Sequence, residues 1–284
     1  MRPLAVISRV YIRGQLGDDG GMIALFDIGN THTHIGLADG RRVVRQGDVP
    51  TAGWLKGGAG PAADRVLKMP EITGAILCSV VPAVTPKVAK YVKTRFGLTC
   101  LELNAKTVRG VGIDYPRPET IGADRLANAV AARRHFGAPV VVVDFGTAVT
   151  FDVVDVRGKY AGGIIAPGLN VMTDYLHEKT ALLPRIRIRE VAGVVGKNTR
   201  QAMLIGAVHG YRGLIRALIG ELRRALRSRR LRVVATGGYA RLMSSKVTEI
   251  TAVDPLLTLE GLRLVWEAHA LEREGKGGRR PRSV

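Results

Sequence analysis

The hydrophobic positions repeat with a short period near the N-terminus and with a longer one soon after. Residues 22–46 read as three short strands separated by turns that contain glycine. Helical spacing follows at residues 62–68 and 84–96, on either side of a continuous apolar run at 74–82 that predicts a buried strand. This alternation of strands and helices predicts an α/β fold.

A second series of the same kind starts at residue 140. Residues 120–137 before it have helical spacing, and Thr120 is the candidate N-cap of that helix. Three strand-like runs then lie between residues 140 and 167. The rest of the pattern predicts three helices, at residues 169–178, 199–227 and 259–272, and one further strand at residues 231–236.

We therefore expect two domains, at residues 22–136 and 137–272, each of which opens with a β-hairpin. Met22 stands directly before the first strand. Residues 1–21 are accordingly interpreted as an extension that is disordered or that results from a start codon placed too early. Residues 273–284 are interpreted as a basic tail.

The composition fits a globular protein of two domains, because 46% of the 284 residues are hydrophobic. No apolar run reaches the roughly 20 residues that a membrane helix needs, so we do not expect a membrane span. Two cysteines, Cys78 and Cys100, are too few for a disulfide framework or a metal cluster, which predicts a reducing cytoplasm.

The charge is strongly basic: 43 Lys and Arg against 24 Asp and Glu give a net charge of +19. Such an excess raises the hypothesis of nucleic-acid binding. However, the basic residues are dispersed, aromatic residues make up only 5%, and no helix-turn-helix or zinc-finger spacing is present. We therefore do not expect specific nucleic-acid binding, since charge by itself indicates solubility and nonspecific attraction.

The chemistry is indicated by two similar turns, DIGNT from residue 27 and DFGTAVT from residue 144. In each turn a glycine allows backbone amides to approach a phosphate, and Thr31 or Thr147 adds a hydroxyl. Asp27 and Asp144 can hold a cation that neutralises the phosphate. One such turn alone would be an ordinary hairpin turn; two of them, opening two halves, predict that a polyphosphate is bound from both sides. Both turns run into strands, which excludes a P-loop or a dinucleotide fingerprint.

The order DIGNT, DFGTAVT and TGG (236–238) is similar to that of the actin, Hsp70 and sugar-kinase superfamily. Four further segments resemble the type III pantothenate kinases: PETIGADRLANAV at 118–130, GGIIAPGLNV at 162–171, TALLPRI at 180–186 and GKNTRQAMLIGA at 196–207. The resemblance extends over residues 22–271. It implies two ribonuclease-H-like (actin-like ATPase) domains, with mixed sheets flanked by helices and ATP in the cleft between them.

The resemblance also implies an activity: ATP-dependent phosphorylation of pantothenate to 4'-phosphopantothenate, the first step of coenzyme A biosynthesis. It further implies that the protein uses ATP with Mg²⁺, binds a monovalent cation (K⁺ or NH₄⁺) and is a cytoplasmic homodimer. Two alternatives stay open. Another small-molecule kinase or an ATPase of the superfamily is disfavoured by the GADR and GKNT segments. A non-catalytic regulator is disfavoured by the presence of Asp27, Asp124 and Asp144.

On the substrate side the resemblance implies that Asp124 is the general base. In the first turn of its helix the positive end of the helix dipole favours its ionised form. The alternative is an ordinary N-terminal carboxylate paired with Arg125. Arg125 is expected to bind the pantothenate carboxylate as a fork, or to be a solvated surface charge. The remaining substrate contacts implied are Tyr115, Gly122, Ala123 and Thr199; Tyr115 would otherwise be a packing residue and Thr199 a helix N-cap.

On the nucleotide side the resemblance implies that one continuous stretch surrounds the phosphates: Asp27, Ile28, Gly29, Asn30, Thr31, His32, Thr33 and His34. Thr147 is expected to contact the nucleotide and Asp144 to bind the monovalent cation. His32 and His34 would share one face of a strand, but a metal site would need a third ligand.

Overall fold

The computed structural model describes residues 5–6, 21–68, 71–228 and 231–277. The strands are, in chain order, β1 (Ala5–Val6), β2 (Met22–Ile28), β3 (His32–Ala38), β4 (Val43–Pro50), β5 (Ile72–Ser79), β6 (Leu101–Glu102), β7 (Gly112–Ile113), β8 (Val140–Phe145), β9 (Ala148–Val154), β10 (Lys159–Pro167), β11 (Arg232–Gly237) and β12 (Ala252–Val253). The α-helices are α1 (Ala52–Leu55), α2 (Gly60–Val66), α3 (Thr85–Phe96), α4 (Ala123–Phe136), α5 (Leu169–Glu178), α6 (Thr199–Ile205), α7 (Tyr211–Ala225), α8 (Ala240–Ser244) and α9 (Leu257–Gly277).

The chain forms two compact units. Among the described residues, the N-terminal unit contains residues 21–135 and 256–277, and the C-terminal unit contains residues 5–6 and 136–255. The last helix of the chain, α9, therefore belongs to the N-terminal unit.

In the N-terminal unit the strand order is β4-β3-β2-β5-β6. Strands β2, β3 and β4 form an antiparallel meander, and β5 and β6 continue the sheet in parallel with β2. Phe26 and Leu77 project from the sheet into a core that also contains Trp54, Val88 and Val92 from α1 and α3. This packing buries one apolar stripe of each helix, which is the main source of stability for short helices.

Helix α9 packs on this same sheet. The ring of Trp266 lies where Gly74 leaves room, since a Cβ at Gly74 would be 2.1 Å from it. Buried Glu260 accepts a hydrogen bond from the Val43 N–H at 3.0 Å. The sequence pattern assigned residues 256–272 to the C-terminal domain. The apolar spacing of a helix shows that one face is buried, but it does not show which sheet covers that face.

In the C-terminal unit the strand order is β1-β12-β11-β8-β9-β10. Strands β8, β9 and β10 form an antiparallel meander, and β11, β12 and β1 extend the sheet in parallel with β8. Val143, Phe151 and Val233 pack against Ile215 and Ile219 of α7. Each unit thus has a mixed sheet with a three-stranded meander flanked by helices, which confirms the predicted fold class.

Three details differ from the sequence prediction. Thr120 lies in a 3₁₀ turn, Pro118–Thr120, and its hydroxyl donates to the Arg117 carbonyl, so Thr120 does not cap α4. The single helix predicted at 199–227 consists of α6, a π-helical segment at Gly206–Gly210, and α7. Helix α9 continues to Gly277, inside the segment that we interpreted as a tail.

The N-terminal extension is described only at Ala5–Val6, where β1 pairs with β12. Residues 1–4, 7–20 and 278–284 lie outside the described residues, as do the predictions made for them.

Within the described residues, one helical stretch, Thr199–Ala225, is long and apolar enough to cross a membrane. The signal is weak, because core helices have the same composition. Tyr211, Ile215 and Ile219 of this stretch are buried in the C-terminal core.

Candidate functional site

The turn between β2 and β3 is closed by its own backbone and tied to the end of β4. The Gly29 N–H donates to the His32 carbonyl at 3.0 Å. Thr51 donates twice, from its hydroxyl to the Gly29 carbonyl at 2.6 Å and from its N–H to the Thr31 carbonyl at 3.0 Å. These carbonyls are thus engaged inside the protein, while Asn30, Thr31 and His32 are exposed. This arrangement suits a turn that presents donors to an anion.

Thr51 was missed by the sequence analysis. It lies 20 or more residues beyond the turn, and its hydroxyl also contacts the buried Thr33 hydroxyl at 3.1 Å. No spacing rule connects positions 31 and 51, because the contact depends on the pairing of β3 with β4.

Asp27 is the last residue but one of β2 and is half-buried. It lies directly opposite Cys78 on the parallel strand β5, and the Cys78 thiol donates to Asp27 Oδ1 at 3.3 Å. Complete burial, and then the negative charges of Asp27 and Asp124, raise the pKa of the Cys78 thiol well above its usual range. The thiol therefore stays protonated at neutral pH and can donate. The negative charge of Asp124 thus acts on the same thiol that donates to Asp27.

Asp124 lies in the first turn of α4 and is half-buried. Its Oδ1 accepts a hydrogen bond from the Arg125 N–H at 2.8 Å. Burial raises the pKa of the Asp124 carboxyl above its ordinary value, while the N–H and the guanidinium of Arg125 oppose that rise. The Arg125 N–H at the start of α4 favours the ionised form, but burial is the larger effect, so the pKa rises and the carboxylate is a stronger base.

The neighbours of Asp124 leave it little freedom. A Cβ at Gly122 would lie 2.6 Å from Asp124 Oδ1, so a side chain at position 122 would displace the carboxylate. Ala123 is buried at the start of α4, and Arg125 is half-buried rather than fully solvated. Tyr115 exposes 39% of its surface.

The C-terminal turn, between β8 and β9, lies at the start of a helix. The Gly146 N–H donates to the Ala148 carbonyl at 3.0 Å, and the Gly168 N–H donates to the Thr147 carbonyl at 3.1 Å. Gly168 is the N-cap of the ten-residue helix α5. The N-terminus of α5, with its partial positive charge, therefore lies beside the Gly146–Thr147 turn, an arrangement that favours an anion.

Asp144 lies beside the end of β11. In the parallel pairing Thr236 is opposite Asp144 and Gly237 is opposite Phe145. Gly237 has a φ of +84°, and a Cβ there would lie 2.6 Å from Asp144 Oδ1 and 2.7 Å from the Phe145 nitrogen. The first glycine of the TGG motif is thus required for close approach of the backbone to Asp144, a role that the sequence analysis did not assign.

Thr199 is the first residue of α6 and is exposed. The N-cap is Asn198, whose side chain accepts from the Gln201 N–H at 2.9 Å. The alternative in which Thr199 caps the helix is therefore wrong. An Asn followed three residues later by Gln is a capping signature, so the sequence carried the information needed to identify Asn198.

His34 pairs across the sheet with Asp48. Its Nδ1 lies 2.8 Å from Asp48 Oδ1, and this hydrogen bond lowers the pKa of the Asp48 carboxyl. Within the part of the chain that the structure describes, no group of three or more His, Cys, Asp or Glu side chains is arranged to hold a metal ion.

Comparison with known proteins gives a consistent family assignment. A family model for type III pantothenate kinase matches residues 23–221. A type III pantothenate kinase of Methylacidiphilum infernorum is 43% identical over 244 residues, covering 86% of this chain and 87% of that protein. A type III pantothenate kinase of Akkermansia muciniphila is 50% identical over 206 residues, covering 72% of this chain and 83% of that protein.

Solved structures agree at the level of the fold. A protein of Campylobacter jejuni described as a Baf-family transcriptional activator has a TM-score of 0.57 at 18% identity, with 87% of this chain and 99% of that chain covered. The ethanolamine utilization protein EutJ of Carboxydothermus hydrogenoformans has a TM-score of 0.53 at 17% identity, with 92% and 94% covered. At such identities the likeness shows the fold alone.

Proposed function

The chain belongs to the type III pantothenate kinase family, and we propose that it transfers the γ-phosphoryl group of ATP to the terminal hydroxyl of pantothenate. The product would be 4'-phosphopantothenate, and the reaction would open coenzyme A biosynthesis. The observation that carries this proposal is the half-buried Asp124 of the GADR segment, in the first turn of α4.

We assign the chemical step to Asp124. As the hydroxyl oxygen of pantothenate forms its bond to the γ-phosphorus, Asp124 accepts the hydroxyl proton, the bond from the γ-phosphorus to the bridging oxygen breaks, and ADP leaves. The raised pKa of the carboxyl supports this role, because a stronger base takes the proton more readily. Arg125, Tyr115, Gly122, Ala123 and Thr199 are proposed to bind and orient pantothenate, with the Arg125 guanidinium on its carboxylate.

The phosphates of ATP are assigned to the turns. In the N-terminal unit the residues from Asp27 to His34 are proposed to surround them. In the C-terminal unit Thr147 is proposed to contact the nucleotide, with the N-terminus of α5 beside it. The carbonyl of Gly29 in one turn and that of Thr147 in the other already accept hydrogen bonds from the protein. This supports the proposal that each turn presents hydrogen-bond donors, and not these carbonyls, to an anion.

Kinases of this class use ATP with a divalent cation, and the carboxylates of Asp27 and Asp144 suit hard cations, which prefer oxygen ligands. When bound, Mg²⁺ neutralises phosphate charge that develops during transfer. We propose that Asp27 holds Mg²⁺ directly or through water, and that Asp144 holds K⁺ or NH₄⁺. The close backbone of Gly237 supports the second assignment, since a side chain there would fill the space next to Asp144 Oδ1.

We also propose a homodimer in the cytoplasm, without specific nucleic-acid or membrane binding. Large apolar side chains are exposed on α5 and on the segment that follows it: Tyr175 is 59% exposed, Leu182 88% and Val194 76%. Exposed large apolar side chains are common at protein interfaces, which supports this proposal. Helix α7 is a poorer candidate for the dimer contact, because its Ile215 and Ile219 are buried in the core of the C-terminal unit.

The direct test is ADP release from the purified protein with ATP, Mg²⁺ and K⁺, comparing pantothenate, glucose and no acceptor. We expect turnover that depends on pantothenate and falls when Na⁺ replaces K⁺. Release of ADP without an acceptor would indicate an ATPase, and dependence on glucose would indicate a sugar kinase. Absence of ADP release under all three conditions would favour a non-catalytic protein.

A further inference from the structure

We propose that Cys78 is a positioning residue for phosphoryl transfer, which orients the Asp27 carboxylate through a hydrogen bond from its thiol. The role of Asp27 in this inference rests on the proposed function, whereas the contact between Cys78 and Asp27 does not depend on it. Cys78 lies outside the phosphate turns and outside the GADR segment, and its position in the sequence gives no indication of a role beside Asp27.

The contact is built into the sheet. Residues 27 and 78 are directly opposite in the parallel pairing of β2 with β5, so their backbones are fixed next to each other. The Cys78 sulfur is 3.3 Å from Asp27 Oδ1, and Cys78 has 0% exposure, so bulk water does not compete for the bond. Both strands end at the same edge, where β2 enters the turn through Gly29 and the Val80 N–H donates to the Ile28 carbonyl at 3.1 Å.

A donor on Oδ1 restricts rotation of the carboxylate and so sets the direction of Oδ2. Such a constraint matters for a group that meets a cation or its water, because binding groups on fixed side chains lose less entropy when the ligand arrives. A thiol suits this position. It is a weak, neutral donor, so it orients Asp27 and leaves the negative charge of the carboxylate available to a cation. A lysine at this position would neutralise that charge.

The chain also supplies a matched control. Cys100 is half-buried in the same unit, and its thiol donates to the carbonyl of the neighbouring Leu101 at 3.9 Å rather than to a carboxylate. Loss of the thiol at position 100 therefore tests the general effect of removing a cysteine sulfur from this unit.

The experiment compares Cys78→Ala, Cys78→Ser and Cys100→Ala in the full-length protein. Calorimetry gives the Kd of ADP at several Mg²⁺ concentrations, and kinetics give KM for ATP and for pantothenate separately. Since a hydrogen bond to a charged group is worth a modest free energy, we expect Cys78→Ala to weaken Mg²⁺-dependent ADP binding about three- to tenfold. Cys78→Ser, which keeps a donor, and Cys100→Ala should remain within about twofold of wild type, and KM for pantothenate should not change.

A change of less than twofold in Cys78→Ala, or a Cys78→Ser variant as weak as the alanine variant, would overturn the proposal. Thermal melts identify a variant that does not fold. In that case Cys78→Thr and Cys78→Val, which have the same shape and differ in the hydroxyl, provide the same comparison. Wild-type protein that binds Mg²⁺–ADP but shows no pantothenate-dependent turnover would refute the proposed function, while the binding comparison would still decide the role of Cys78.

Discussion

Asp124 accepts a hydrogen bond from the Arg125 N–H at 2.8 Å while burial removes much of its water. Because desolvation penalises the charged form, the pKa of this carboxyl is higher in the folded protein than in the unfolded chain. The ionised residue therefore costs stability at neutral pH, and this cost disappears as the pH falls below the unfolded pKa. A base that is costly to keep ionised is common at catalytic sites.

Replacing Asp124 with Asn should separate activity from stability. Without a general base, turnover should fall by about 10²- to 10⁴-fold, while Asn can still accept the Arg125 N–H and nucleotide binding should be largely kept. Because the buried charge is gone, Tm at pH 7 should rise. ADP release and thermal melts measure the two effects. Turnover at the wild-type level would refute the assigned base, and a lower Tm would contradict the cost of burial.

The pH dependence of the wild-type enzyme provides a second test. Asp124 must be ionised to accept a proton, so kcat should fall as the pH decreases through its raised pKa, which lies above the ordinary value of about 3.9 for Asp. The profile should be measured together with circular dichroism at each pH. Full activity down to about pH 4 in folded protein would show that no group with a raised pKa acts as the base.

At the scale of elements, each phosphate turn depends on a neighbouring element for its shape. The N-terminal turn is held by Thr51 at the end of β4, and the C-terminal turn is held by Gly168 at the start of α5. A Cβ at Gly168 would lie 2.1 Å from the Thr147 carbonyl oxygen and 2.6 Å from that of Gly146. A larger residue at position 168 would therefore displace the Gly146–Thr147 turn from its place beside the junction of β10 and α5.

Gly168→Ala should displace the Gly146–Thr147 turn. We expect at least tenfold weaker binding of ADP and a loss of about 1–3 kcal/mol in the free energy of unfolding, as for other overpacked sites. The control is Gly213→Ala in α7, where no atom lies within 4 Å of the added Cβ. That variant should gain up to about 1 kcal/mol from helix propensity and bind ADP normally. Equal ADP affinity in the two variants would contradict the proposed importance of the junction.

At the scale of the whole molecule, the chain completes its N-terminal unit with its last helix. Glu260 and Arg263 of α9 form an ion pair at 2.9 Å with side chains only 1% and 5% exposed, and Arg263 also donates to the Gly40 carbonyl. The Arg263–Gly40 contact and the hydrogen bond from the Val43 N–H to Glu260 each join positions more than 200 residues apart in sequence. Folding of the unit therefore includes long-range contacts, which are costly in loop entropy.

Glu260→Ala should destabilise the N-terminal unit strongly, by about 3–5 kcal/mol, because it weakens the pairing of a buried arginine and removes the acceptor of the Val43 N–H. Glu272→Ala, on the same helix as Glu260, breaks an exposed ion pair with Arg109 and should cost about 0–1 kcal/mol. Urea unfolding of both variants measures the difference. Similar midpoints for the two would contradict the anchoring of α9 through Glu260.

The sequence by itself determined the elements and the chemistry. The spacing of the hydrophobic residues and the glycine-containing turns predicted the three strands of each meander. The Asp-x-Gly turns and the GADR segment indicated which charged residues belong to the site. Both signals are local in sequence, because they depend on the conformation of a few neighbouring residues. Tertiary structure alone decided which sheet received α9 and which residues supported the turns. Thr51, Cys78 and Gly168 act across strand pairs or at a helix end, and contacts between residues distant in sequence leave no periodic pattern. The raised pKa of Asp124 is of the same kind, since burial depends on everything that surrounds the residue.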